Sequence, residues 1–125
     1  MTKKVRYYRI LLIILLLPLG LVGQVKKAEK LVEEKRYLDA IEVYEKAIKK
    51  SPTGFNYNAL GNLYQKTKQY AKAKDAFSKA LTFSELTETR YIDYAKICLQ
   101  TEDFDEAKKY FELYEKESKG DYRAE

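Results

Sequence analysis

A period of 33 to 34 residues runs through this chain and leaves little choice of fold. It is clearest between Tyr57 and Ala80. There Tyr57, Leu60, Gly61, Tyr64, Tyr70, Ala73, Phe77 and Ala80 follow one another at spacings of 3, 1, 3, 6, 3, 4 and 3. Steps of three and four within each half are helical. Gln65 to Gln69 is polar, so the stretch reads as two short amphipathic helices joined by a tight turn. Gly61, Ala73 and Ala80 leave room that Tyr64, Tyr70 and Phe77 fill, the complementarity that close helix packing demands. A helical hairpin of this size cannot bury its apolar faces alone, so further copies are expected.

They are present. Adding 34 to Tyr70, Ala73 and Phe77 gives Phe104, Ala107 and Phe111; subtracting 33 gives Tyr37, Ala40 and Tyr44. The next slot reads Ala47, Ala80 and Tyr114. The small slot on the first helix reads Ala28, Gly61 and Ala95, and the slot after it Leu31, Tyr64 and Cys98. Three copies span 21–53, 54–87 and 88–121. The helices are expected at about Gln24–Lys35, Tyr37–Lys50, Phe55–Thr67, Gln69–Phe83, Glu88–Gln100 and Asp103–Lys119. Ser51-Pro52-Thr53-Gly54 stops the second, Asp103 and Glu106 form a capping box on the sixth, and Gly120 ends it.

This pattern resembles the tetratricopeptide repeat, a helix–turn–helix unit of about 34 residues. The second copy fits best, with an aromatic at its fourth position, Leu60-Gly61 at seven and eight, Tyr64 at eleven, then Ala73, Phe77 and Ala80. The first keeps Pro52 in the closing proline slot. The third departs, with Tyr114 where alanine is usual and Lys119 in the proline slot. The resemblance implies an all-α, right-handed superhelix of three hairpins (an α-α solenoid) that binds other proteins and carries no chemistry of its own.

It also implies a concave groove lined by the first helix of each copy. The groove slots are Phe55, Asn58, Asn62 and Gln65 in the second copy, Thr89, Ile92, Lys96 and Leu99 in the third, and Val25, Glu29 and Val32 in the first. Phe55, Asn58, Asn62, Gln65, Ile92 and Lys96 are therefore the candidate residues for binding a protein or peptide. Asn62 matches the slot where peptide-binding members hold a ligand's main chain, which an amide can meet as donor and acceptor. The clamp that some members use for a terminal carboxylate is not expected. Val25 and Glu29 stand where it wants lysine and asparagine, and Asp93 where it wants arginine; a negative lip repels a carboxylate. Members commonly end with an extra helix over the last repeat. Here only Gly120 to Glu125 follow, so Tyr110, Leu113 and Tyr114 are candidates for self-association into a homo-oligomer.

Residues 1–23 read as a signal peptide or N-terminal anchor. Lys3, Lys4, Arg6 and Arg9 precede an apolar stretch of 13 residues from Ile10 to Val22, where a spanning helix wants about 20. Pro18 suits the end of such a segment, and Gly23 offers a cleavage point. The expectation is export, with the repeats periplasmic or extracytoplasmic; the alternative is a membrane anchor at residues 10–22. No cysteine lies near the cleavage point, which excludes a lipoprotein anchor. Residues 24–121 form one domain, and 122–125 a tail.

The formal charge of +5 suggests nucleic acid, but without the four N-terminal cations 20 basic residues face 19 acidic ones. The charges are interspersed, so the footprint of phosphate binding is missing. There is no histidine, and the one cysteine, Cys98, occupies a core slot. The usual nucleophile–base pairs are therefore absent, and neither enzyme activity, metal nor cofactor is expected. If the register is right, Ala73→Leu overpacks a crevice and lowers stability by roughly 1–3 kcal/mol in denaturant titration.

Overall fold

The computed structural model of the chain describes residues 22–83 and 89–121. Six helices are seen among them, and no strand. Helix α1 covers 22–33, followed by α2 (Tyr37–Lys50), α3 (Gly54–Lys66), α4 (Tyr70–Ala80), α5 (Thr89–Gln100) and α6 (Phe104–Asp121). Neighbouring helices pack in chain order, α2 on α3, α3 on α4, α4 on α5 and α5 on α6. The N-terminal segment up to residue 21, the connection 84–88 and the tail 122–125 lie outside the described residues.

Each hairpin closes by the same device. Lys35, Lys68 and Glu102 take φ of 58°, 60° and 61°, and they recur at the repeat spacing. The amides of Arg36, Gln69 and Asp103 reach back to the carbonyls of Leu31, Tyr64 and Cys98 at 2.9, 2.7 and 2.9 Å. Those of Lys35, Lys68 and Glu102 donate to Val32, Gln65 and Leu99 at 3.0, 3.0 and 3.2 Å. This is a Schellman closure, which satisfies the last carbonyls of the first helix and reverses the chain in about three residues. It is made without glycine. Thr67 and Thr101 add hydroxyl bonds to the carbonyls of Leu63 and Ile97, each at 3.0 Å.

The repeat slots carry the core. Ala28 and Ala95, Ala40, Ala73 and Ala107, and Leu31, Tyr64 and Cys98 are all buried, as are Tyr44, Phe77, Ala47 and Ala80. Gly61 is buried as well, and a β-carbon there would stand 2.7 Å from the Phe77 ring. Repeats are tied to one another by polar contacts. The Tyr64 hydroxyl on α3 donates to Glu45 on α2. Lys74 on α4 reaches Asp103, just before α6, at 2.7 Å. Gln65 and Gln100 join α3 to α5 at 2.8 Å.

Several expectations are corrected. Phe104, taken as a core aromatic like Tyr37 and Tyr70, is 64% exposed. Tyr37 and Tyr70 pack against the core beside a following hairpin, whereas no described helix follows α6. Gly120 does not stop α6, which runs on through Asp121. The capping box at α6 is half formed. The Glu106 amide favours the charged Asp103 carboxylate, but the Asp103 amide already donates to Cys98, and Glu106 turns to Lys109 at 3.6 Å. Helix α4 stops at Ala80 rather than Phe83, because Thr82 and Phe83 donate to Lys79 and Ala80, three residues back, and tighten the last turn. Helix α1 takes in Val22 and Gly23 and ends before Lys35. Thr53 supplies a cap that sequence reading did not assign, accepting from the Asn56 amide at 3.1 Å.

Gly61→Ala tests the packing. Crowding Phe77, which is buried and cannot swing away, costs about 1–3 kcal/mol. Alanine's helix propensity returns about 1 kcal/mol. Chemical denaturation should therefore show a net loss, and Gly61→Ala with Phe77→Leu should recover part of it.

Candidate functional site

Two cavities lie along the seam between α1 and α3 and share Glu29. One, of about 460 Å³, is lined by Val22, Val25, Lys26 and Glu29 from α1 and by Ser51, Thr53, Phe55 and Asn56. The other, of about 390 Å³, is lined by Glu29, Val32 and Glu33 of α1, Tyr44 of α2, and Ala59, Asn62, Leu63 and Lys66 of α3. Together they make a cleft with apolar walls, an acidic α1 lip and one exposed amide, Asn62.

The helical period explains this lining. Val25, Glu29 and Val32 stand at steps of four and three on α1, and Phe55, Ala59, Asn62 and Lys66 do so on α3. Phe55 is 62% exposed, a large apolar ring with no fold-level use. The Asn62 side chain makes no hydrogen bond to another described residue. Lys66 sits over the Tyr37 ring at 5.7 Å, so its charge is partly engaged. Burial raises the Tyr44 phenol above its ordinary pKa, with the Glu29 carboxylate adding to the shift.

The sequence-derived residues divide among several contacts. Phe55 and Asn62 line the α1–α3 cleft with Val25, Glu29 and Val32. Gln65 is bonded to Gln100. Asn58 on α3 lies against Asp93 on α5 and favours its charged form. Ile92 lines a separate cavity at the α5–α6 end, with Leu99, Phe104, Phe111 and Tyr114. Lys96 is exposed on α5, where its charge acts on Asp93. Tyr110 packs inward, edge-on to Tyr94 at 4.6 Å and beside Tyr91 at 5.9 Å. Leu113 and Tyr114 are half-buried. Glu33, Ala59 and Lys66 were missing from the sequence reading; the four-residue step from Glu29 and Phe55 was the signal for Glu33 and Ala59.

Cys98 is buried, and burial pushes its thiol above the ordinary value. No cluster of histidine, cysteine, aspartate or glutamate suited to a metal occurs among the described residues. No described helix is long and apolar enough to cross a membrane.

Two tetratricopeptide repeat models match the sequence, at residues 55–85 and 89–122. Between them they cover just over half of the chain, and the chain belongs to the tetratricopeptide repeat proteins. No curated protein matches it. Solved structures share the fold. The second TPR of Spaghetti bound to an HSP90 peptide is 18% identical, with TM-score 0.69, over 75% of this chain and 88% of that one. MamA from Desulfovibrio magneticus RS-1 is 20% identical, with TM-score 0.74, over 82% of this chain and 59% of that one. The Yersinia enterocolitica type III secretion chaperone SycD, in complex with a peptide of the translocator YopD, is 19% identical, with TM-score 0.72, over 78% and 75%. The chain is thus an all-α solenoid of the superhelical tetratricopeptide type and, as its repeats define, a protein-interaction module; no catalytic family is among its matches.

Asp93 offers a pH test. Burial raises its pKa, against the opposing pull of Lys96 and Asn58. A raised folded-state pKa means that stability is fullest below the unfolded carboxylate value and falls as pH rises through the folded one. Asp93→Asn should therefore melt higher than the parent at neutral pH. The difference should shrink as pH falls toward the ordinary carboxylate range, as followed by circular dichroism.

Proposed function

We propose that this chain is an exported, non-enzymatic adaptor that holds an extended segment of a partner protein in the α1–α3 cleft during assembly of an envelope complex. The observation that carries the reading is the cleft itself. Asn62 presents a side-chain amide without a hydrogen-bond partner among the described residues, between apolar surfaces at Val25 and Phe55 and at Val32 and Leu63. An extended peptide needs such a main-chain contact, with apolar pockets for alternate side chains. Glu29 and Glu33 on one lip favour a neutral or basic segment over an acidic one. The solved structures of the same fold with an HSP90 peptide and with a YopD peptide bound support the reading. Export rests on the basic start and apolar stretch of the N-terminal segment, with cleavage after Gly23 or retention as an anchor. Cleavage removes Val22 from the cleft and leaves Val25 in place.

Peptides selected by display on the wild-type protein provide the ligand. Asn62→Ala should weaken them by about 3–10-fold, the worth of one hydrogen bond, in fluorescence polarisation. The melting temperature should hold, since the side chain is exposed. Undiminished affinity would remove the cleft from consideration. N-terminal sequencing of the envelope fraction tests export: a start at Gln24 marks cleavage, a retained Met1 in the membrane pellet marks an anchor, and full-length soluble protein contradicts both.

A further inference from the structure

The two ends of the stack differ in chemistry. At the α5–α6 end a cavity of about 540 Å³ is lined by Ile92, Leu99, Phe104, Phe111 and Tyr114, with Lys108, Glu112 and Glu115 among the lining residues. Phe104 is 64% exposed and Leu99 45%. This surface corresponds to the one on the first hairpin that α3 covers, where Ala59 and Leu63 face Val32 and Tyr44. At the other end, the α1 residues in register with Ala59 and Leu63 are Lys26 and Lys30, both exposed. An α1 seated on the α5–α6 face of another copy would bring two ammonium groups onto phenylalanine, tyrosine and isoleucine beside Lys108, with Glu112 and Glu115 as the available counter-charges, a poorer match than the alanine and leucine with which α3 covers the first hairpin. Head-to-tail stacking is therefore the poorer fit.

The charges of the α5–α6 face complement themselves. Lys108 and Glu112 are exposed on α6, one turn apart, and neither has an ion-pair partner among the described residues. Glu115 pairs with Lys119 at 3.2 Å. If α6 meets its own copy antiparallel, with the two-fold axis near Phe111, Lys108 of one chain faces Glu112 or Glu115 of the other, and the reverse pair forms at the same time. A two-fold contact requires such self-complementarity. We propose that the α5–α6 face is the contact of a two-fold homodimer, in which Leu99, Phe104, Phe111 and Tyr114 of two copies bury one another and Lys108 pairs across the axis. The contact is separate from the α1–α3 cleft and does not rest on peptide binding there.

Thiol cross-linking tests the geometry on the full chain in mild detergent. Buried Cys98 provides a quiet background, and the parent chain is the control. Leu99→Cys with a short bis-maleimide should give a covalent dimer on a denaturing gel, and Lys26→Cys should give none. Adding Phe104→Glu should abolish the product while leaving the helical circular dichroism signal intact. Lys108→Glu should shift the dimerisation midpoint to at least tenfold higher concentration, and Glu112→Lys with Glu115→Lys in the same chain should restore it. The proposal is overturned if Leu99→Cys yields no dimer, if product appears only when Leu99→Cys and Lys26→Cys chains are mixed, or if Phe104→Glu leaves the dimer undiminished.

Discussion

Everything in this fold depends on how the chain reverses inside each repeat. Three residues, Lys35, Lys68 and Glu102, take the left-handed conformation that ordinary side chains avoid. The residues whose carbonyls anchor the closure, Leu31, Tyr64 and Cys98, are the ones whose side chains enter the core. Backbone closure and side-chain burial are thus fixed at the same positions. If the turn slipped by one residue, the second helix of the hairpin would rotate by about 100°, and Ala40, Ala73 and Ala107 would leave their crevices.

From that reversal the packing follows. Gly61 and Phe77 show how tight it is, because the glycine is filled by a ring rather than by empty space. Hairpins then join through a mixed set of contacts. Burial, with the hydrogen bond to Glu45 adding to it, holds the Tyr64 phenol well above its usual pKa, and Lys72 lies over its ring at 5.5 Å. One tyrosine therefore belongs to the core and also to the seam between repeats. Such nearest-neighbour joints are what gives a solenoid its stability.

The hairpins were legible in the sequence because helical spacing and a repeat of constant length report the same thing independently. Ala40, Ala73 and Ala107 could be placed before any coordinates. The turn geometry was not legible, since lysine and glutamate carry no signature of positive φ; only the recurrence of the closure marks it. The site was half legible. Repeat slots pick out Phe55 and Asn62, which line the α1–α3 cleft, but slot equivalence says nothing about which side chains neighbouring helices will engage. Asn58 is tied to Asp93 and Gln65 to Gln100, while Ile92 in the same slot as Asn58 lines the terminal cavity. Phe104 was misplaced for a related reason. A periodic pattern reports the average environment of a repeat, and the third repeat has a described neighbour on one side only.

Asp103 has a consequence of its own. It accepts from Lys74 on α4, and the lysine holds its carboxyl below the usual range, with the Glu106 amide at the start of α6 adding to the shift. The stabilisation is present above the ordinary carboxylate pKa and disappears as pH falls through the lowered folded value. One protonation then weakens both the start of the last helix and its tie to the preceding hairpin. In acid the tie between α4 and the start of α6 should loosen, a change that amide exchange can follow residue by residue.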